Sequence, residues 1–396
     1  MVRVIAPVEP ETLVWARKTA GYKTARDAAE KISWLKDKEK NLRQWESGEK
    51  ISLSNAKKLA KSYHRSVPFF YLPLDIAKED EHKEPIRIKD FRKDDVLGPK
   101  AIRFLRDVRS RQEWASTWLM ESQSRRPDWL GTIQISRGAN VCANFLRDRI
   151  WTKPDRPSNL NNWIEQAEEN LGVLVMQSRP THRSYHVEES FSGCALLDKW
   201  APVVALNYKQ NEGRRLFTLL HELAHLCIGQ EGISNIEFRI EDSAASDPVE
   251  TFCDKVAAET LMPESIFRES WTAQGGDIDR QVARFGASHS ACIVRAARLG
   301  LMDGNIANQK LRQIKAARSK AKEASQGKQG EAASISRHPH AEAISRCGSK
   351  LSRHILESYN TGAITAVEVS DLFDVNLKHL ADIGKKSGVS LPRWGT

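Results

Sequence analysis

Apolar residues fall at three- and four-residue intervals along most of this chain, the spacing that gives a helix one buried face. In 11–20 they stand at Leu13, Val14, Ala16 and Ala20, and Gly21 stops the segment. A second helix, capped by Thr24, sets Ala25, Ala28, Ala29 and Ile32 on one side. A third runs from Lys38 to Trp45 and ends near Gly48. A fourth opens at Ser52 or Ser54 and turns Ala56, Leu59, Ala60 and Tyr63 inward. The aromatic run Pro68-Phe69-Phe70-Tyr71-Leu72-Pro73 closes this set.

The pattern then changes. Residues 74–100 are polar and read as a linker. Helical spacing returns over 100–125, 138–150 and 159–171. Short apolar, β-branched runs follow and predict strands: Val173 to Met176, Cys194 to Leu197, and Pro202 to Asn207, the last two joined by a turn at Asp198-Lys199-Trp200. The third strand reads as a sheet edge, where an extended peptide could dock by adding a strand. Helices are predicted again at 211–228, at 248–261 and as a pair within 278–299. Residues 310–336 are low in complexity, with seven Lys/Arg and one Glu from Lys310 to Lys328, and read as a linker, either partly helical or disordered. A helical segment covers 340–383, and Thr365 with Glu368 has the form of a capping box.

These elements predict an α+β chain. The boundaries are an all-α domain over 1–75, a linker with connecting helices over 76–135, a central domain with a small sheet over 136–305, a basic linker over 306–338 and a small helical module over 339–396.

Charge sharpens this division. The net charge is +10, but 1–75 carry +6 and 306–396 carry +7, leaving the middle about −3. Basic ends attract phosphate through counterion release, and lysine-rich helices also serve simply as solvated surface. No apolar run of 18 residues occurs, so no membrane span is expected, and Met1 to Pro10 has no signal-like apolar core. The six cysteines include no CxxC pair, which argues against a disulfide scaffold and a cysteine zinc finger and for a reducing, cytoplasmic setting.

The strongest candidate chemistry is His221-Glu222-Leu223-Ala224-His225. On a helix, residues i and i+4 share a face, so both imidazoles can bind one metal ion. Glu222 stands beside the metal, placed to take a proton from an attacking water. Glu250, 29 residues after His221, opens the next helix and is available as a third ligand. Two His and one Glu leave a fourth zinc position open. Asp254, one turn further, could accept the other N–H of a zinc histidine. Glu250 also fits a plain role as an acid at a helix N-terminus, where the dipole favours it.

Phe217-Thr-Leu-Leu-His221-Glu-Leu-Ala-His225 and Glu250-x-x-Cys253-Asp254-x-x-Ala257-Ala258-Glu259-x-Leu261-Met262-Pro263 resemble the signature of the ImmA/IrrE family of bacterial metallo-endopeptidases. Pro202 to Asn207, Arg215, and Phe285 to Leu301 with Ser288, Ala291 and Arg295 match its flanking segments. The likeness covers about 200–302. It implies a zincin-like, gluzincin-type domain with Zn2+ on His221, His225 and Glu250, and Glu222 as general base. Asp254 stands where the family commonly has Asn. The family cleaves helix-turn-helix repressors, so a repressor is the implied substrate.

Residues 1–75 resemble an Xre-type helix-turn-helix, on Leu13-x-Trp15-Ala16-Arg17, Gly21, Ala28-Ala29, Trp45-Glu-Ser-Gly-Glu49 and Phe69-Phe70-x-Leu72-Pro73. Ser33 to Lys40 lacks the usual small-residue turn. If DNA is read here, Lys36, Lys38, Lys40, Arg43 and Gln44 carry it, the lysines on phosphates and Arg43 or Gln44 on base edges. The other reading is a helical domain kept for protein contact. The leading reading is a zinc-dependent regulatory endopeptidase with a DNA-binding domain. The alternative is a non-proteolytic repressor or antitoxin with a toxin partner. Such readers often form homodimers on symmetric sites.

Secondary candidates are weaker. His182, Tyr185 and His186 could support an oxyanion or be loop residues, and Tyr208 is similar. Cys227 and Cys253 lie near the metal helices and read as small buried residues. His338 and His340 read as solvated. Trp114, Trp118, Trp129, Trp151 and Trp163 read as packing anchors.

Overall fold

Short polar caps, more than long apolar runs, divide this chain into its elements. The computed structural model describes residues 4–35, 38–81, 97–151, 159–179, 191–234, 236, 238, 240, 247–327 and 339–391. Two units emerge, residues 1–86 with 91–107 and residues 87–90 with 108–396. Among the described residues, no helix is long and apolar enough to cross a membrane.

In the first unit, β1 (Ile5–Ala6) precedes the helices α1 (Pro10–Thr19), α2 (Ala25–Lys31) and α3 (Glu39–Glu46). Then come β2 (Ile51–Ser52), α4 (Leu53–Tyr63) and α5 (Leu74–Glu81). Thr24 caps α2 by accepting from Asp27 N, and Ser52 caps α4 by accepting from Asn55 N. Leu13, Ala28, Leu35, Leu42, Leu59, Tyr63 and Phe70 make the core. Buried Arg17 pairs with Glu46 at 2.6 Å, tying α1 to α3. The antiparallel pair of β1 with β2 means this unit is not purely helical. Two-residue strands are too short to leave a periodic signal. Part of the expected linker is α5, and 82–96 lie outside the described residues.

α6 (Pro99–Glu121) carries the chain into the second unit. There follow α7 (Ala139–Ile150), α8 (Leu160–Asn170), β3 (Leu174–Gln177), β4 (Gly193–Leu196), β5 (Val203–Leu206), α9 (Glu212–Cys227) and β6 (Gly232–Ser234). Next are α10 (Pro248–Leu261), α11 (Glu264–Ala273), α12 (Ile278–Phe285), α13 (His289–Arg298) and α14 (Gly304–Gly327). The last are α15 (Pro339–Cys347), α16 (Ser349–Asn360), α17 (Ala366–Phe373) and α18 (Leu380–Ser387). The whole is an α+β fold, helical for the most part.

The sheet order is β3-β5-β4-β6. β3 runs parallel to β5, with Leu174 opposite Val203, and β4 is antiparallel to both β5 and β6. This corrects the placing of Pro202 to Asn207 at a sheet edge. β5 is interior, bonded on both sides, and has no free N–H row for a peptide. All four of its residues are buried, which explains a continuous apolar run instead of an alternating one. The strand beyond β4 is β6, Gly-Ile-Ser, missed because three residues carry no period.

Two further segments differ from expectation. Gly304–Gly327 is one helix with exposed basic side chains, longer than the partial helix the linker reading allowed. Lysine and arginine are good helix formers, so polarity did not argue against a helix. α11 was missed although Phe267 is fully buried. The C-terminal helices lie against the sheet, α15 packing on β3. At the seam, Gly348 takes φ +81°, and a Cβ there would meet Val175 O at 2.5 Å.

Candidate metal centre

α9 owes its position to its two faces. Asn211 caps it, accepting from Arg214 N at 2.9 Å. Leu216, Leu219, Leu220, Leu223 and Leu226 are buried in the main core. α10 starts from Asp247, whose carboxylate accepts from Val249 N at 2.8 Å, with Pro248 in the first turn. Cys253, Val256 and Ala257 bury its inner face against α9 and α7. At its far end, Arg295 donates from Nε to Met262 O at 3.0 Å and pairs with Glu259. α10 is therefore held at both ends, and α9 at its N-terminus and along its buried face.

This packing brings His221, His225 and Glu250 together. One donor atom from each lies within 4.8 Å of the others. His221 Nε2 is 3.0 Å from Glu250 Oε2, and His225 Nε2 is 3.0 Å from Glu250 Oε1. The two Nε2 atoms are 3.1 Å apart. The histidines are almost fully buried, while the Glu250 side chain keeps 22% exposure. Asp254 Oδ1 lies 2.9 Å from His221 Nδ1. If Nδ1 carries its proton toward that carboxylate, Nε2 presents a lone pair inward. Two nitrogens and a carboxylate then aim lone pairs at one point. That arrangement needs a positive charge between the lone pairs, which a proton or a metal ion can supply, and its two nitrogens and one carboxylate are a donor set that fits a metal ion.

Glu222 is fully buried, and neither carboxylate oxygen has a hydrogen-bond partner among the described residues. Burial raises its pKa to about 7, against the opposing pull of His221 and His225. Burial also works against a charge on His221. The hydrogen bonds and charges of Asp254 and Glu250 outweigh this and raise His221 well above the ordinary histidine range. Glu250 is held low by His221 and His225 in spite of its own burial.

Sequence reasoning missed what lies opposite Glu222. A Cβ at Gly193 would stand 2.5 Å from Thr218 Cγ2 and 2.9 Å from Glu222 Oε1, so β4 reaches α9 only as glycine. Ser234 of β6 lies beside the Glu222 carboxyl. Only the sheet order could have revealed either.

The other candidates separate. His182, Tyr185, His186 and His338 lie outside the described residues, and His340 belongs to α15. Tyr208, two residues past β5, stands against Arg179 and Arg215, whose guanidinium carbons lie 4.8 and 4.6 Å from its ring centre. Cys227 and Cys253 are buried, and burial pushes both thiols up. In the first unit, Lys36 lies outside the described residues, and Lys38, Lys40, Arg43 and Gln44 are on or next to α3. Lys38 Nζ donates to Trp34 O at 3.0 Å, and Arg43 pairs with Glu39 at 2.6 Å. Lys40 is exposed and Gln44 half-buried.

Residues 168–296 match the family model of Peptidase M78, the IrrE N-terminal-like domain. The match runs from α8 through most of α13 and contains both helices of the centre. It supports a metallopeptidase-type function, and a peptidase of that kind implies a metal ion, commonly zinc. No curated protein matches the chain, and no solved structure does.

Proposed function

We propose that the chain is a zinc-dependent endopeptidase that cleaves a regulatory protein, with a helix-turn-helix repressor as the substrate class. The observation that supports it best is the convergence of His221, His225 and Glu250 beside a buried, unpartnered Glu222, inside the stretch matched to Peptidase M78. His221, His225 and Glu250 would hold the ion. When bound, zinc supplies Lewis acidity toward a peptide carbonyl and leaves one coordination position open.

The chain's own residues do the remaining work. Asp254 orients His221 through Nδ1. Glu222 takes a proton from the water that attacks the carbonyl carbon. It hands that proton to the amine nitrogen as the C–N bond breaks. A carboxyl group can make both transfers, since it accepts the proton as the carboxylate and returns it as the acid. The substrate strand is assigned to β6, not β5. β6 lies at the sheet edge beside Glu222, and among the described residues no strand pairs with its outer side.

Metal content and cleavage test this reading. Wild type purified without chelator is expected to hold about one zinc per chain, and His221→Ala to lose it. Glu222→Gln is expected to keep the metal and lose about 10²- to 10⁴-fold in cleavage rate on a co-expressed repressor. Unchanged cleavage by Glu222→Gln overturns the role of that residue. A metal-free wild type, even after zinc is added back, overturns the centre.

The DNA-binding part of the proposal rests on the basic first 75 residues and the helices α2, α3 and α4, of which α2 and α4 are capped by Thr24 and Ser52. Lys36, Lys38 and Lys40 would contact phosphates, with Arg43 or Gln44 at base edges. Arg43 would have to exchange Glu39 for a base. Binding to operator DNA should weaken steeply with salt and should not depend on zinc. No binding at low salt would refute it.

A further inference from the structure

A cavity of about 750 Å³ opens within the second unit, between α8, β3, the turn after β5 and α9 on one side and α15, α16 and α18 on the other. The volume lies in the range of small-molecule pockets, about 300–1,000 Å³. The metal centre takes no part in lining it. Arg179, Tyr208 and Arg215 stand on the wall built by the strands and α9. Lys350, Arg353 and Lys386 stand on the wall built by the C-terminal helices.

The charges facing this space are unequal. Arg179 and Arg215 approach the same Tyr208 ring, and neither has a carboxylate partner among the described residues. Arg215 gives Nη1 to Gln177 Oε1 at 2.5 Å, and its Nε is buried with no hydrogen-bond partner. Two guanidiniums held on one ring with no direct ion pair among the described residues repel one another and attract an anion. The acids on the lining offset them in part: Glu212 acts on Arg215, but it and Glu168 are turned to backbone N–H groups. Glu168 Oε1 accepts from Val175 N and Oε2 from Lys350 N. Glu212 Oε1 accepts from Leu160 N. Glu165 and Glu169 are exposed.

We propose that this cavity binds a small metabolite bearing two or more phosphate groups, gripped by Arg179 and Arg215 on one wall and by Lys350, Arg353 and Lys386 on the other. Paired arginines offer the forked donors that fit phosphate oxygens. Cations on both walls call for anionic groups along the length of the ligand, and the volume admits a molecule of mononucleotide size. Such a ligand joins the C-terminal helices to α9. Arg215 stands six positions before His221 on that helix. The binding itself needs neither zinc nor proteolysis, so it stands apart from the proposed activity.

Calorimetric titration of the full chain tests it, with inorganic tripolyphosphate, ATP, GTP and citrate as probes. At least one phosphate compound is expected to bind with Kd on the order of 1–100 µM. Tripolyphosphate binding as tightly as the nucleotides would show that phosphates alone are recognised. A tenfold preference for a nucleotide would show that its nucleoside is read as well. The double variant Arg179→Gln, Arg353→Gln should weaken binding at least tenfold with an unchanged melting temperature. Lys315→Gln, on the exposed basic face of α14, should not weaken it. Citrate binding as well as the phosphates, no binding by any probe, or binding unaffected by the double variant would each overturn the proposal.

Discussion

Asp254 shows how much one carboxylate can control. Its Oδ1 lies 2.9 Å from His221 Nδ1, and its side chain stays 27% exposed at the edge of the centre. The contact selects which imidazole nitrogen faces inward, a choice that the histidine alone does not make. Asp254→Ala should therefore keep the fold and lower zinc affinity about 10- to 100-fold, read by competition with a chelating dye. Asn can still accept the Nδ1 proton, so Asp254→Asn should lose less. Equal affinity in wild type and Asp254→Ala would remove the residue from the account. Glu222 is the complementary case. Its position one residue after His221 was plain in the sequence, but its burial and lack of partners belong to β4 and β6 folding over it.

Among the elements, α10 carries the ligand that is most sensitive to its helix. Glu250 sits in the first turn, three residues after the Asp247 cap. Fraying of that turn moves the carboxylate away from His221 and His225. Asp247→Ala should cost about 1 kcal/mol of stability, and Asp247→Asn much less, as thermal unfolding would show. The same local logic explains which elements could be read in advance. Thr24, Ser52, Asn159, Asn211 and Thr365 all cap helices where the pattern expected them to start. α9 and α10 were legible because a one-sided apolar stripe is a property of neighbours in sequence. β1, β2 and β6 were not, since strands of two or three residues form only when a distant partner supplies their hydrogen bonds.

At the scale of the molecule, the second unit is closed by the C-terminal helices on β3. Glu168 lies at that seam, 3% exposed, with Lys350 Nζ donating to its backbone oxygen at 3.0 Å. Burial raises its pKa from 4.5 to about 7, although the Val175 and Lys350 N–H groups and the charges of Lys350 and Arg353 pull the other way. The folded state thus keeps a proton that the unfolded chain has released above pH 4.5. The stabilisation this gives is whole below about pH 4.5 and is lost as pH rises toward 7. Stability should fall by on the order of 1–3 kcal/mol across that window, and Glu168→Gln should flatten the slope. Urea unfolding at several pH values measures both. A slope that persists in Glu168→Gln would assign it to other groups.

The sequence by itself determined most of the helices, several of their caps and the spacing that puts His221 and His225 on one face. These rest on interactions within a few residues, so the local order of side chains is enough to specify them. Only the tertiary structure decided that β5 is interior and β6 is the edge beside Glu222. It alone also decided that Gly193 and Gly348 stand where chains touch, and that Arg179, Arg215 and Arg353 face one cavity. Sheet order and close approach join residues far apart in sequence, where no local period records which partner a strand or a charge will meet.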